Sequence, residues 1–223
     1  LLPIVARDPA LTEALAAADR KDEAHTVIGP PGMAPLLTGI LAAPELGDNT
    51  VLAVTATTRD AEDLAAELRG FLAPTSVVEF PAWETLPHER LSPTHDTVGR
   101  RLHVLRRLSH PEDQGSGLGP IRVVVAGVRA LVQPIVAGIG DLEPVRARVG
   151  DSPGLVATVE RLVSIGYERT DLVTRRGELA VRGGIVDVFV PTDEHPLRVE
   201  FFGDEVDEVR SFSVTDQRSL DVL

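Results

Sequence analysis

Between residues 178 and 212 short apolar stretches follow one another with only turn residues between them, and no helical pattern intervenes. Consecutive strands joined by tight turns must pair antiparallel, because a parallel pair needs a long crossover. The Gly183-Gly184 pair and residues 191–196, bounded by two prolines, are the turns. Val181, Ile185, Val188, Val190, Val199 and Phe201 supply the buried side of a small sheet. Arg182, Arg198 and Phe202 are left for an exposed face, where arginine and aromatic side chains serve as contact anchors. Residue types alone also fit a plainer reading, a structural salt bridge or two and a core phenylalanine. Phe201 and Phe202 are adjacent, so a strand here turns them to opposite faces.

The first half has a different rhythm. Apolar runs at 26–29, 51–55, 77–80 and 122–126 read as buried strands. Between them, residues 60–72 predict an amphipathic helix capped by Asp60, with Leu64, Leu68 and Phe71 on one face. Asp96 predicts a second helix to about residue 108, with Val98, Leu102 and Leu105 inward and the pairs Arg100-Arg101 and Arg106-Arg107 outward. A further helix begins at 128–131. This alternation calls for a parallel sheet covered by helices. Near residue 142 it stops. Ser152-Pro153 opens a helix to about Ile165, stopped by Gly166, and the antiparallel strands follow. The expected architecture is an α/β domain over residues 1–141 and a small α+β domain over 142–223. The sequence starts and stops like a piece of something longer.

Bulk properties narrow the function. The net charge is −12, with 16 acids against 10 bases from residue 142 onward and 18 against 12 before it. Neither part offers the basic field of a DNA-binding domain, and aromatics at 4% leave few platforms for stacking bases. There is no cysteine, which excludes thiol chemistry and cysteine-zinc sites and fits a cytoplasmic protein. No apolar run is long enough to span a bilayer.

The segment from Gly29 to Leu36, GPPGMAPL, occupies the place of a phosphate-binding loop between a strand and an apolar helix. Such a loop needs a glycine, a lysine and a hydroxyl at the positions held here by Ala34, Pro35 and Leu36. Pro35 also lacks a backbone N–H. The chain's single lysine, Lys21, lies upstream. Gly29 and Gly32 equally suit an ordinary strand-to-helix turn.

Other groupings point to no chemistry. His88, His95, His103 and His110 follow no zinc-ligand spacing. Asp204, Glu205, Asp207 and Glu208 surround Val206 and Val209, so alternation buries the valines and wets the acids. Glu178 and Asp187 form no acid-base pair, and no nucleophile-base arrangement stands out. Trp83 and Leu86 are expected to cover the sheet edge, and residues 114–117 to form a mobile loop.

Three stretches carry a resemblance. Residues 176–212, RGELAVRGGIVDVFVPTDEHPLRVEFFGDEVDEVRSF, are similar to a small domain that transcription-repair coupling factors share with the excision-repair protein UvrB. Residues 81–101, PAWETLPHERLSPTHDTVGRR, resemble the signature of that family's N-terminal region, and residues 121–134, IRVVVAGVRALVQP, the strand-helix unit after it. The resemblance implies that residues 1–141 form a degenerate P-loop-like scaffold, with neither ATP nor Mg bound. It implies that residues 142–223 dock UvrA through Arg182, Arg198 and Phe202. UvrB carries an aromatic-rich, DNA-clamping hairpin where residues 81–96 here are short and hold only Trp83. For the complete family protein it implies ATP-driven translocation on double-stranded DNA, RNA polymerase as a partner, and a C-terminal domain that masks the UvrA-docking surface. Two other readings stay open: a helicase- or nuclease-like fragment that binds DNA or nucleotide directly, and a surface used only for packing within a larger chain.

Overall fold

The computed structural model describes residues 2–18, 24–30, 32–45, 49–85, 92–113 and 118–222. The chain divides into two units, Leu1–Trp83 with Arg101–Asp141 and Glu84–Arg100 with Leu142–Leu223. The second unit thus takes in residues 84–100, which the sequence reading assigns to the first domain.

In the first unit, β1 (Val51–Thr55), β2 (Val77–Glu79) and β3 (Val123–Gly127) form a parallel sheet in the order β1-β3-β2. Val123 stands opposite both Val51 and Val77. The central strand is buried at every position, which suits its unbroken run of small and β-branched residues. Helices α1 (Leu2–Val5), α2 (Pro9–Ala18), α3 (Met33–Ala42) and α4 (Thr58–Leu68) supply Leu2, Leu11, Ile40, Ala61, Ala65 and Leu68 to the core with Val77, Val123 and Val125. The alternate residues Val78, Val124 and Ala126 pack with Val104 of α5 (His95–Ser109) and Ala130 of α6 (Val128–Val132).

Four expectations need correction here. Residues 26–29 join neither sheet, and Val27 and Ile28 are exposed; a four-residue apolar run does not by itself distinguish a strand from extended coil. Asp60 is not the cap of α4. The Asp60 N–H donates to Thr57 Oγ1 at 3.1 Å and the Thr57 N–H to Asp60 Oδ2 at 3.2 Å, a reciprocal capping box. Helix α5 starts one residue before Asp96, with the Thr97 N–H donating to Thr94 Oγ1 at 3.4 Å. Leu105 packs inward as expected, but beside it the buried positions are Val104, Thr97 and Arg101 rather than Val98 and Leu102, and Arg101 is 1% exposed instead of pointing to water.

The second unit pairs α7 (Leu155–Ser164) with a six-stranded sheet in sequence order. Its strands are β4 (Glu168–Arg169), β5 (Glu178–Arg182), β6 (Ile185–Val188), β7 (Leu197–Phe202), β8 (Glu205–Phe212) and β9 (Ser219–Val222). From β5 to β9 every pair is antiparallel. Val159 and Leu162 of α7 pack with Leu179, Val186, Val188, Val199, Phe201, Val206 and Val209. Val186 takes the place expected for Ile185, and Val190 lies outside this core. Pro153 precedes α7 rather than opening it, since Gly154 with φ 75° is the N-cap. A smaller cluster gathers Val173, Ala180, Phe189 and Phe212. Among the described residues, no helix is long and apolar enough to cross a membrane.

Candidate docking surface

Alternation along β5 to β8 decides which side chains share a face. Leu179, Val186, Val199 and Phe201 belong to the α7 core, so Ala180, Arg182, Asp187, Arg198, Glu200 and Phe202 take the opposite side. The register agrees: Asp187 stands between Ala180 on β5 and Arg198 on β7. Arg182 lies two residues beyond Ala180, and Phe202 four beyond Arg198. Arg182, Arg198 and Phe202 therefore share one face of the sheet.

Asp187, which the sequence gives no role, organises that face. It is 1% exposed. Its Oδ1 accepts from Arg198 Nε at 2.7 Å, and its Oδ2 from Arg198 Nη2 at 2.9 Å and Arg182 Nη2 at 2.8 Å. The Arg198 fork on one carboxylate is the bidentate geometry that makes such pairs strong. The Arg198 guanidinium also lies 4.7 Å from the Phe212 ring centre. The bonds to Asp187 raise the Arg198 pKa, outweighing the opposing effect of burial. Next along the sheet, Arg210 Nη2 joins Glu200 at 2.6 Å and Glu208 at 2.8 Å.

Phe202 stands apart from these pairs. Its side lies away from the α7 core, and the residue is 84% exposed. Two glycines shape its surroundings. Gly183 has φ 61°, as the two-residue turn demands. Gly184 accepts the Phe201 N–H at 2.7 Å, and a Cβ there would come within 2.8 Å of the Phe201 carbonyl oxygen. No larger residue fits position 184 without moving β7.

Elsewhere the candidate positions fall as follows. Gly32 is the N-cap of α3, so Ala34, Pro35 and Leu36 lie in its first turn, and Pro35 is buried. Gly29 approaches Met33 so closely that a Cβ would lie 2.6 Å from its sulfur. His95 and His103 lie on α5, and His110 Nε2 pairs with Asp141 at 2.9 Å. His88, Leu86, Lys21 and residues 114–117 lie outside the described residues. Among those described, no cluster of three potential metal ligands occurs. Glu178 is engaged with backbone. Its Oε2 accepts the Thr174 and Arg175 N–H groups at 2.7 and 2.8 Å, tying down the preceding turn. Trp83 and Gln133 hydrogen-bond reciprocally, at 2.7 and 3.3 Å.

Residues 145–223 match the family model of the UvrB interaction domain. A transcription-repair-coupling factor from Mycobacterium tuberculosis is 49% identical over 220 residues, 99% of this chain and 17% of that protein. One from Bacillus subtilis is 34% identical over 73% of the chain, and one from Haemophilus influenzae 33% over 80%. The chain belongs to the transcription-repair coupling factor family. It spans about one sixth of the length of the relatives it matches. The UvrB-type domain coincides with α7 and the six-stranded sheet, and so contains the whole Asp187 network.

Proposed function

We propose that this region recruits UvrA and that its second unit is the docking module. The observation that carries the reading is an almost fully exposed phenylalanine on the face that also holds Arg182, whose side chain is 52% exposed. An exposed ring beside a guanidinium with free donors suits a partner patch with an apolar socket and a carboxylate. The first unit serves as a scaffold that holds neither ATP nor Mg, because the lysine and hydroxyl of a phosphate loop are replaced by Pro35 and Leu36. Binding of RNA polymerase and double-stranded DNA, ATP-driven movement, and masking of the docking surface by a C-terminal domain belong to the rest of the full-length protein.

Calorimetric titration of the chain into UvrA, beside an Arg182→Ala/Arg198→Ala/Phe202→Ala variant, tests this. Saturable binding by the parent alone is the expected result, and a parent that ignores competent UvrA overturns it. A second reading has one observation in its favour: both arginines already pair with Asp187 inside the unit. On that reading the face serves intramolecular packing, and the parent gives no heat with UvrA.

A further inference from the structure

We infer that Arg198 and Asp187 are positioning residues of the docking surface, and that the contact itself is made by Arg182 and Phe202. This rests on the docking role proposed above. The family resemblance places Arg182, Arg198 and Phe202 in one contact set and leaves Asp187 out. The geometry divides them differently.

Arg198 spends its guanidinium inside the unit. Nε and Nη2 are bound to Asp187, Nη1 reaches the Gln217 carbonyl oxygen at 3.4 Å, and the group stacks over Phe212. Its side chain is 16% exposed. Little of it remains to meet a partner. Arg182 is the reverse. Only Nη2 is bonded, to Asp187 Oδ2, while Nε and Nη1 make no hydrogen bond among the described residues. One tethered nitrogen leaves a second edge of the fork for a carboxylate outside, which is the geometry a bidentate contact uses.

Asp187 is then the anchor that gives Arg182 a fixed direction, and Arg198 holds Asp187 in place from the other side. A buried carboxylate facing one guanidinium that is half in solvent would be poorly compensated, whereas the second, nearly buried arginine fills its remaining acceptor positions. Fixing Arg182 before the encounter lowers the ordering entropy that binding must otherwise overcome. Phe202 has no link to this network and contributes by itself.

The test is a pair of mutant cycles read by titration into UvrA. Asp187→Asn and Arg198→Met are each made in the parent and in an Arg182→Ala background. Each is expected to weaken binding about 3- to 10-fold in the parent, the span that ordering one long side chain represents. Neither is expected to weaken it further once Arg182 is gone, because its effect passes through that residue. Equal losses in both backgrounds overturn the inference, as does an unchanged affinity in the parent. If the parent itself does not bind UvrA, the recruitment reading falls and this one with it, an outcome distinct from additive cycles.

A second measurement covers any variant that fails to fold. In the unmutated chain, the Arg182 Nε–Hε resonance is expected to shift when UvrA is added, and the hydrogen-bonded Arg198 Nε–Hε to stay where it is. A shift of Arg198 alone, or of both alike, overturns the assignment.

Discussion

The guanidinium carbon of Arg101 lies 4.2 Å from the centre of the Trp83 ring. It is also 4.1 Å from that of Phe80, and its Nη1 donates to the Pro81 carbonyl at 2.6 Å, so one buried side chain on α5 grips three residues of the passage leaving β2. Its Nη2 is buried without a partner among the described residues, and burial lowers its pKa. The grip is therefore packing and cation–π contact against a desolvated charge, with no carboxylate paired to it among the described residues. Arg101→Ala is expected to destabilise the first unit by about 2–4 kcal/mol through the lost volume. Arg101→Met, which keeps a flexible chain along the rings, should cost less than about 1.5 kcal/mol. Urea unfolding followed by the fluorescence of Trp83, the single tryptophan, separates the two; equal losses would mean that the charge matters more than the packing.

Phe202→Ala should leave folding stability within about 0.5 kcal/mol of the parent, since the ring packs against almost nothing. The same change should weaken UvrA binding by about 2 kcal/mol, the scale of a central aromatic anchor. Denaturant unfolding and calorimetry on one preparation give both numbers. A large stability loss with unchanged binding would reassign the ring to packing.

Glu178 gives the second unit an acid sensitivity. Burial pushes its pKa up, but the Thr174 and Arg175 N–H groups, the Thr174 hydroxyl and the Arg175 charge together hold it below the ordinary value of 4.5. A carboxylate depressed in the folded state stabilises the fold above its unfolded pKa, and that stabilisation is lost as pH falls through the folded value. Stability should thus decline below about pH 4.5. Glu178→Gln should be less stable at neutral pH and show a shallower decline in acid. Unfolding free energies measured between pH 3 and 7 check the slope.

The capping box of α4 makes a local prediction. Thr57→Ala removes the acceptor of the Asp60 N–H and should destabilise the first unit by about 1 kcal/mol, while Thr57→Ser should be nearly neutral. Chemical denaturation of the three proteins is sufficient.

The α/β-then-α+β plan was legible in the sequence because each half has its own hydrophobic period, and because the Gly183-Gly184 pair marks a turn that only a few backbones satisfy. The antiparallel strands of the second unit follow from the short apolar runs and turns, whereas Val206 and Val209, three residues apart, share its core only because the register slips by one residue between them. Position-level detail was lost wherever tertiary context chose between neighbours. Val186 faces α7 and Ile185 does not, because the two-residue turn at Gly183-Gly184 fixes the register one step from where apolarity alone would set it. Arg101 looked like half of a solvated pair, and only the meeting of α5 with Phe80 and Trp83, far apart from it in pattern, shows it inside. Helix α2 and the edge strands β4 and β9 carry too little periodicity to be read. For the candidate surface, Arg182, Arg198 and Phe202 could be named from the resemblance, while Asp187 could not: an isolated acid between valines looks like any solvent-facing strand position until its cross-strand partner is known to be arginine.

The shared carboxylate has one more consequence, for how a partner arrives. Two guanidiniums on a single Asp187 leave one positive charge over at Arg182, yet Glu200 shares that face and the surrounding stretch has 16 acids and only 10 bases. Beyond a screening length of about 8 Å at physiological salt, an approaching molecule senses mainly the acidic whole. Only inside that distance does Arg182 dominate. A carboxylate-bearing partner is therefore held off at range and retained at contact, so collisions in most orientations are fruitless and added salt should speed the productive ones.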